Sequence, residues 1–351
     1  MLKLVGTASW MPEIVVSSDD LARALGLEEK KTHGWVGAKT GIVSRRLAVT
    51  IPDLEPVLPD GFRSSSEAVG TLARRVLEET QTSAGDIGGL FLVTCTPDEP
   101  FLGGTAFATA KKLGLPEEAV VFEVQAGCAG LVQALDLAAT YATKIPFGKK
   151  ILVSAVNLTS PFFGAGGWRR YIEKKGGLWS ALMFADGAVA LLFENSESED
   201  PPRGILYSNF CATRGSPLVQ YPAGGVACPT REENIGDHLF LMDPQAVARE
   251  YPAAMTKNID ELRGGGYSPE MFKRIFLHQA VPPAVKLVRQ ALGLDEEVVP
   301  VRGDIWGNSS ASVTGLMLDE ALKNGELATG DLVALSVVGA PGVRGVAVIK
   351  I

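Results

Sequence analysis

Blocks of β-branched and apolar residues alternate along this chain with stretches whose apolar positions recur at helical spacing. Residues 121 to 141, VFEVQAGCAGLVQALDLAATY, show the unit: an apolar start, a small-residue corner around Cys128, then a helical pattern. The unit belongs to a longer repeat. LFLVTCTPDEPFLGGTAFATAKKLGLPEEAVVFEVQAGCAGLVQALDLAA begins at Leu90, and RIFLHQAVPPAVKLVRQALGLDEEVVPVRGDIWGNSSASVTGLMLDEAL begins at Arg274. Each predicts a strand, a polar corner, a helix ending in LGL, an acidic turn, a second strand, a small-residue corner and a second helix. Further strands are predicted at 149 to 159 and 181 to 196 after the first copy, and at 331 to 340 and 343 to 351 after the second. Strands separated by helical stretches imply parallel pairing through crossover helices, whereas the closing pairs leave no room for a helix in the second copy and imply antiparallel partners. MLKLVGTASW supplies a first strand, and the polar ENSESEDPPRG at 194 to 204 marks a boundary. The expected fold is α/β, with a layered half at 1–196 and a similar half at 204–351 related by a pseudo-twofold.

Composition agrees. A chain of 351 residues can bury a large core; 46% hydrophobic content with 39 glycines and 7% aromatics suits buried strands and close helix packing. A net charge of −7 argues against a general nucleic-acid binder. Arg45-Arg46, and Trp168-Arg169-Arg170 with Lys174-Lys175, read as solvated faces. Cys95, Cys128, Cys211 and Cys228 are widely spaced without a CxxC, which suggests neither a zinc site nor a disulfide framework and favours a reducing compartment. No run approaches the roughly 18 to 20 apolar residues that span a bilayer, and the start lacks signal-peptide character. The expectation is a soluble, cytoplasmic protein without a membrane or nucleic-acid partner.

The repeat gives Cys128 a context. A thiol at a strand-to-helix corner is either a small core hydrophobe or a nucleophile whose pKa the helix N-terminus lowers. Cys128 lies 15 residues after the leucine opening LGL in its copy (128 − 113), and Asn308 lies 16 after the counterpart (308 − 292). The two corners are expected to be structural equivalents that face each other across the axis. Of His33, His238 and His278, only His278 ends a predicted buried strand beside that centre. Cys128, His278 and Asn308 are therefore the candidate catalytic set, a nucleophile with hydrogen-bonding partners.

Taken with their order and spacing, the motifs resemble those of the thiolase superfamily, and within it the β-ketoacyl-ACP synthase III (KAS III) group. They are GWVGAKTGIVSRR at 34 to 46, AGCAG at 126 to 130, FADGAVALLF at 184 to 193, HQA at 278 to 280, GNSSAS at 307 to 312 and GAPGVRG at 339 to 345. The resemblance spans essentially the whole chain. It implies a duplicated αβαβα fold and an acyltransferase activity. Cys128 would take an acyl group from a coenzyme A or carrier-protein thioester, while His278 and Asn308 would bind the carbonyl of a malonyl- or β-ketoacyl-type thioester during decarboxylative condensation. Backbone N–H groups of Cys128 and Ala340 would form the oxyanion hole. Trp35, Lys39, Arg169 and Arg170 are the candidate coenzyme A or carrier contacts. For Trp35 the alternative is an exposed aromatic at a helix end. Phe101 and Leu102 would close the acyl pocket of the partner in a homodimer, the alternative being a buried loop. No cofactor or metal is implied.

The chain also departs from the family's pattern. Lys39 replaces an arginine and loses its planar fork. HQAVPP carries Val281 and Pro283 where the family has Asn and a carrier-docking arginine. Pro341 interrupts the usual Gly-Gly-Gly, and SPFFGAGGWRRYIEKKGGLW at 160 to 179 is inserted. These changes keep the reaction centre and alter its mouth, which points to specialised fatty-acid or polyketide metabolism. Two alternatives stay open: acyl transfer to an alcohol or amine with His278 as base, and non-decarboxylative acyl–acyl condensation with Glu99 as an added base.

Overall fold

The computed structural model describes residues 1–27, 34–99, 102–164, 167–174, 176–197, 202–213, 215, 217–340 and 342–351. In chain order the strands are β1 (Leu2–Trp10), β2 (Val15–Ser17), β3 (Ser44–Arg46), β4 (Ile87–Thr94), β5 (Val120–Val124), β6 (Lys150–Asn157) and β7 (Gly187–Asn195). They continue as β8 (Gly204–Ala212), β9 (Val219–Gln220), β10 (Leu241–Met242), β11 (Arg274–Leu277), β12 (Leu332–Gly339) and β13 (Val343–Lys350).

Two large sheets carry the duplication. One has the order β1-β7-β6-β4-β5 and the other β8-β13-β12-β11. The pairing senses correspond along the shared part: β1 with β7 and β8 with β13 are antiparallel, as are β7 with β6 and β13 with β12. The inner pairs β4 with β6 and β11 with β12 are parallel, as the crossover helices require.

The helices Gly130–Tyr141 and Val313–Lys323 pack between the sheets, and their apolar residues share one buried cluster with both. Helices Ser65–Glu79 and Gly104–Leu113 cover the outer face of the first sheet, and Pro244–Gly264 and Pro282–Ala291 that of the second. The result is five layers, αβαβα. Being covered on both faces, the inner strands need continuous apolar runs rather than alternation; β6 buries Ile151 to Asn157 without a break. Gly130 lets the central helix approach the sheet, since a β-carbon there would lie 2.1 Å from Val93 Cγ1.

Three local expectations are corrected. EVVPVRG does not form a second strand in the C-terminal copy: Ile275 N–H reaches Val298 O at 2.7 Å, but no ladder follows, and Pro300 has no N–H to extend one. Residues 181 to 183 close the helix Gly177–Met183 instead of opening β7. Arg45 is not part of a solvated face. It is completely buried, donates from Nη2 to Ser18 Oγ at 2.9 Å, and is pulled down to about 9 by that burial.

Candidate active site

Cys128 is the middle residue of a 3₁₀ turn, Gly127–Ala129, that leads into the central helix Gly130–Tyr141. The second central helix is entered through the 3₁₀ turn Ser310–Ser312. Aligning the turns pairs Cys128 with Ala311, so Asn308 sits three positions earlier (311 − 308) and is not the structural counterpart of Cys128. The packing of the two turns against each other, not equivalence, brings them together.

Asn308 is held from the other half of the molecule. Its N–H donates to Met183 O and its carbonyl accepts from Ala185 N–H, both at 2.9 Å. That strip follows from the FADG motif. Asp186 is wholly buried and accepts from the N–H groups of Ala48, Thr159 and Ser160 and from the Ser160 hydroxyl, which ties three chain segments beneath the site. Gly307, at φ +75°, lies over Arg45, where a β-carbon would approach Arg45 Cβ to 2.7 Å. The motifs around Arg45 and Asp186 therefore support the Asn308 corner.

The Asn308 side chain is oriented as well. Its Oδ1 accepts from Ser310 N–H at 2.9 Å, which leaves the amide Nδ2 to donate toward the Cys128 sulfur. Ser310 adopts φ +56°, a left-handed conformation unusual for a non-glycine residue. From there its Oγ lies 3.4 Å from Cys128 Sγ and 3.1 Å from Cys95 Sγ.

His278 is the first residue after β11 and its N–H bonds Ser336 O at 2.8 Å, extending the parallel pairing by one residue. The Tyr251 hydroxyl donates to the His278 carbonyl, and the two rings lie 6.1 Å apart. Both imidazole nitrogens are buried without a hydrogen-bond partner. Burial lowers the imidazole from 6.5 to about 3, so it stays neutral. The unfolded chain therefore binds more protons between these values, and this group's contribution is complete above pH 6.5 and lost as pH falls toward 3. Between pH 7 and pH 5, His278 is expected to weaken the folding equilibrium by about 25-fold. His278→Gln should flatten that part of the decline in urea midpoint; an unchanged decline would contradict the assignment.

The thiol departs from expectation. Burial pushes Cys128 up, opposed by hydrogen bonds from Ser310, Asn308 and its own backbone amide. Desolvation by burial outweighs the favourable end of the turn and helix.

A cavity of about 540 Å³ borders this centre, lined by Cys95, Gly127 and Ala340 together with Phe162, Tyr221 and Phe240. The aromatic wall is continuous, with Phe162 and Tyr221 rings 5.4 and 5.2 Å from Phe240. Ala340 O accepts from Leu218 N–H at 2.9 Å, which fixes the loop after β12.

The remaining candidates lie outside the centre. Trp35 opens the short helix Trp35–Thr40, is half-buried, and lies 5.8 Å from the Trp179 ring; Lys39 is exposed on the same helix. Arg169 and Arg170 are exposed on Trp168–Glu173, Arg169 lies over the Trp168 ring at 5.3 Å, and burial raises the Tyr221 phenol, an effect that nearby Arg170 opposes only in part. Leu102 is 91% exposed, so it is not a buried loop residue. Phe101 and Pro341 lie outside the described residues. Glu99 is exposed. Sequence reasoning missed Ser310, Cys95 and Tyr251. A signal existed for Cys95, the first residue after β4 as His278 is the first after β11; the backbone twist of Ser310 left none.

Comparison with known proteins agrees with this architecture. Residues 262–351 match the family model for the C-terminal part of 3-oxoacyl-[acyl-carrier-protein] synthase III. The β-ketoacyl-[acyl-carrier-protein] synthase III of Caldanaerobacter subterraneus subsp. tengcongensis is 26% identical, covering 96% of this chain and 94% of the relative. That of Neisseria gonorrhoeae is 28% identical over 96% and 95%. A crystal structure of a 3-oxoacyl-(acyl-carrier-protein) synthase III superposes with a TM-score of 0.81 at 22% identity, covering 100% and 99% of the two chains. Similarity to KAS III proteins along nearly the whole chain, the C-terminal family match and the duplicated five-layer fold together support a KAS III-like condensing enzyme of the acyltransferase class.

Proposed function

We propose that the chain carries an acyl group on Cys128 and condenses it decarboxylatively with a malonyl-type thioester. The Cys128 sulfur attacks the thioester carbonyl of an acyl-CoA or acyl carrier protein, the thiol carrier leaves, and a new thioester forms. In the second half-reaction the bond to the extender carboxylate breaks and carbon dioxide departs. The electron pair left behind spreads onto the extender's thioester oxygen as an enolate. The enolate carbon then attacks the acyl-Cys128 carbonyl, and the Cys128 thiolate leaves. N–H groups of Cys128 and Ala340 hold the oxyanion formed at that step.

One observation carries this reading. Asn308 has its acceptor occupied by Ser310 N–H, which turns its amide donor toward the Cys128 sulfur, and His278 is a buried, neutral histidine with no partner on its ring. An uncharged imidazole presents one N–H, so the site offers two fixed donors where a carbonyl oxygen gains negative charge. A buried imidazole N–H without a protein partner, beside an amide directed at the nucleophile, suits a charge that exists only during reaction. Acyl transfer to an alcohol or amine would need the histidine alone. Non-decarboxylative condensation would need an added base, for which Glu99, exposed on the single chain, is the candidate.

Trp35, Lys39, Arg169 and Arg170 are proposed as the coenzyme A or carrier face, and the exposed Leu102 as a contact with a second copy in a homodimer. Lys39 and Val281, at positions where the family has an arginine and an asparagine, together with the inserted segment, support a role in specialised fatty-acid or polyketide metabolism rather than housekeeping initiation. The test is carbon dioxide release from a malonyl thioester by Cys128→Gln protein, which cannot be acylated. Release at a rate above the uncatalysed background is expected. No release, accompanied by ester or amide formation in the wild type, would replace condensation by simple acyl transfer.

A further inference from the structure

We propose that Cys95 and Ser310 form a directed hydrogen-bond chain that stabilises the thiolate of Cys128, with the Cys95 S–H donating to Ser310 Oγ and the Ser310 O–H donating to the Cys128 sulfur. The inference rests on the reading of Cys128 as nucleophile and assigns positioning roles to two residues that reading does not use. Ser310 Oγ lies between the two sulfurs, 3.1 Å from Cys95 and 3.4 Å from Cys128. A hydroxyl has one proton and two lone pairs, so it cannot donate to both sulfurs at once. When Cys128 is ionised, the only arrangement that satisfies all three atoms runs from Cys95 through Ser310 to Cys128.

The backbone fixes the middle link. Ser310 sits at φ +56° with its N–H held by Asn308 Oδ1, and its side chain is buried between the halves. Burial and the nearby Cys128 push Cys95 up to about 12, so its thiol keeps its proton across the working pH range and remains a donor. The other titratable groups at this centre cannot take over. Tyr251, from the helix Pro244–Gly264, is held protonated by burial and gives its proton to the His278 carbonyl. His278, following β11, is neutral. Among the described residues, no cation contributes to the shift of Cys128; what opposes burial is hydrogen bonding alone. A chain of such bonds polarises each member, so the outer donor strengthens the inner one.

The experiment is the pH dependence of Cys128 alkylation by iodoacetamide, followed by mass analysis of the Cys128 peptide. Ser310→Ala is expected to raise the midpoint by about one pH unit and slow alkylation at pH 7 about tenfold. Ser310→Gly, which accommodates the left-handed backbone, should repeat the shift without strain. The Cys95 variants separate a relay from a packing role, because they should move the midpoint in opposite directions. Cys95→Ala removes the outer donor and raises it, by about threefold in rate at pH 7, whereas Cys95→Ser supplies a stronger O–H donor and lowers it. Shifts of the same sign in both Cys95 variants, or an unmoved midpoint in Ser310→Gly, would overturn the proposal. If instead Cys128 takes no acyl group from any thioester while these midpoints shift as stated, the condensation reading fails and the relay stands.

Discussion

A Cys128→Ala protein takes up no radiolabel from acyl-CoA and condenses at least about 10⁴-fold more slowly than wild type. The magnitude follows from the two-step route. Without a sulfur to carry the acyl group, the enolate would have to attack a thioester bound elsewhere, and the fold provides one buried corner where the central helices, Asn308 and Ser310 meet. The substitution itself is mild, since alanine fits the space of the thiol and Ala129 next to it is already a buried small residue. Loss of activity with an unchanged melting temperature would therefore report chemistry. Stoichiometric label on the alanine variant, located by peptide mass, would remove Cys128 from the mechanism and direct attention to Cys95, the thiol that lines the cavity.

The second large effect belongs to Asn308. In a Cys128→Gln background, Asn308→Ala is expected to reduce malonyl decarboxylation by roughly 10²- to 10³-fold, the usual cost of removing one preorganised donor to a developing oxyanion. Acylation of Cys128 in the single Asn308→Ala variant should fall much less, because the proposed mechanism assigns the oxyanion of that step to backbone N–H groups. The split between half-reactions matters more than either number. A structural role would damage both equally: Asn308 is pinned through its backbone to Met183 and Ala185, and those bonds survive the substitution. Equal losses in the two assays would mean that Asn308 shapes the corner without touching the extender thioester.

How legible the fold was depended on whether a feature was periodic or positional. The duplicated strands and helices follow from hydrophobic patterning, and the antiparallel closing pairs from the absence of room for a crossover. The strand expected at EVVPVRG failed because a local apolar run says nothing about a partner. Pro300 limits the edge to a single bond between Ile275 and Val298. Arg45 shows the same limit with the opposite sign. Two adjacent arginines read as surface, yet one is sealed under Gly307 by contacts distant in sequence.

The sequence by itself determined the two-fold repetition, the layered α/β class and the identities of the thiol, imidazole and carboxamide that stand out from it, because composition and periodicity are local properties. Only the tertiary structure decided how those groups meet. Asn308 reaches the centre through a bridge to the other half rather than as the mirror of Cys128, and Ser310 enters through a backbone twist that no residue pattern encodes. Burial, a property of the assembled layers, sets the protonation of His278 and both thiols. Chemistry-bearing side chains are written in the chain, whereas their hydrogen-bond partners and their access to water are created when distant segments close around them.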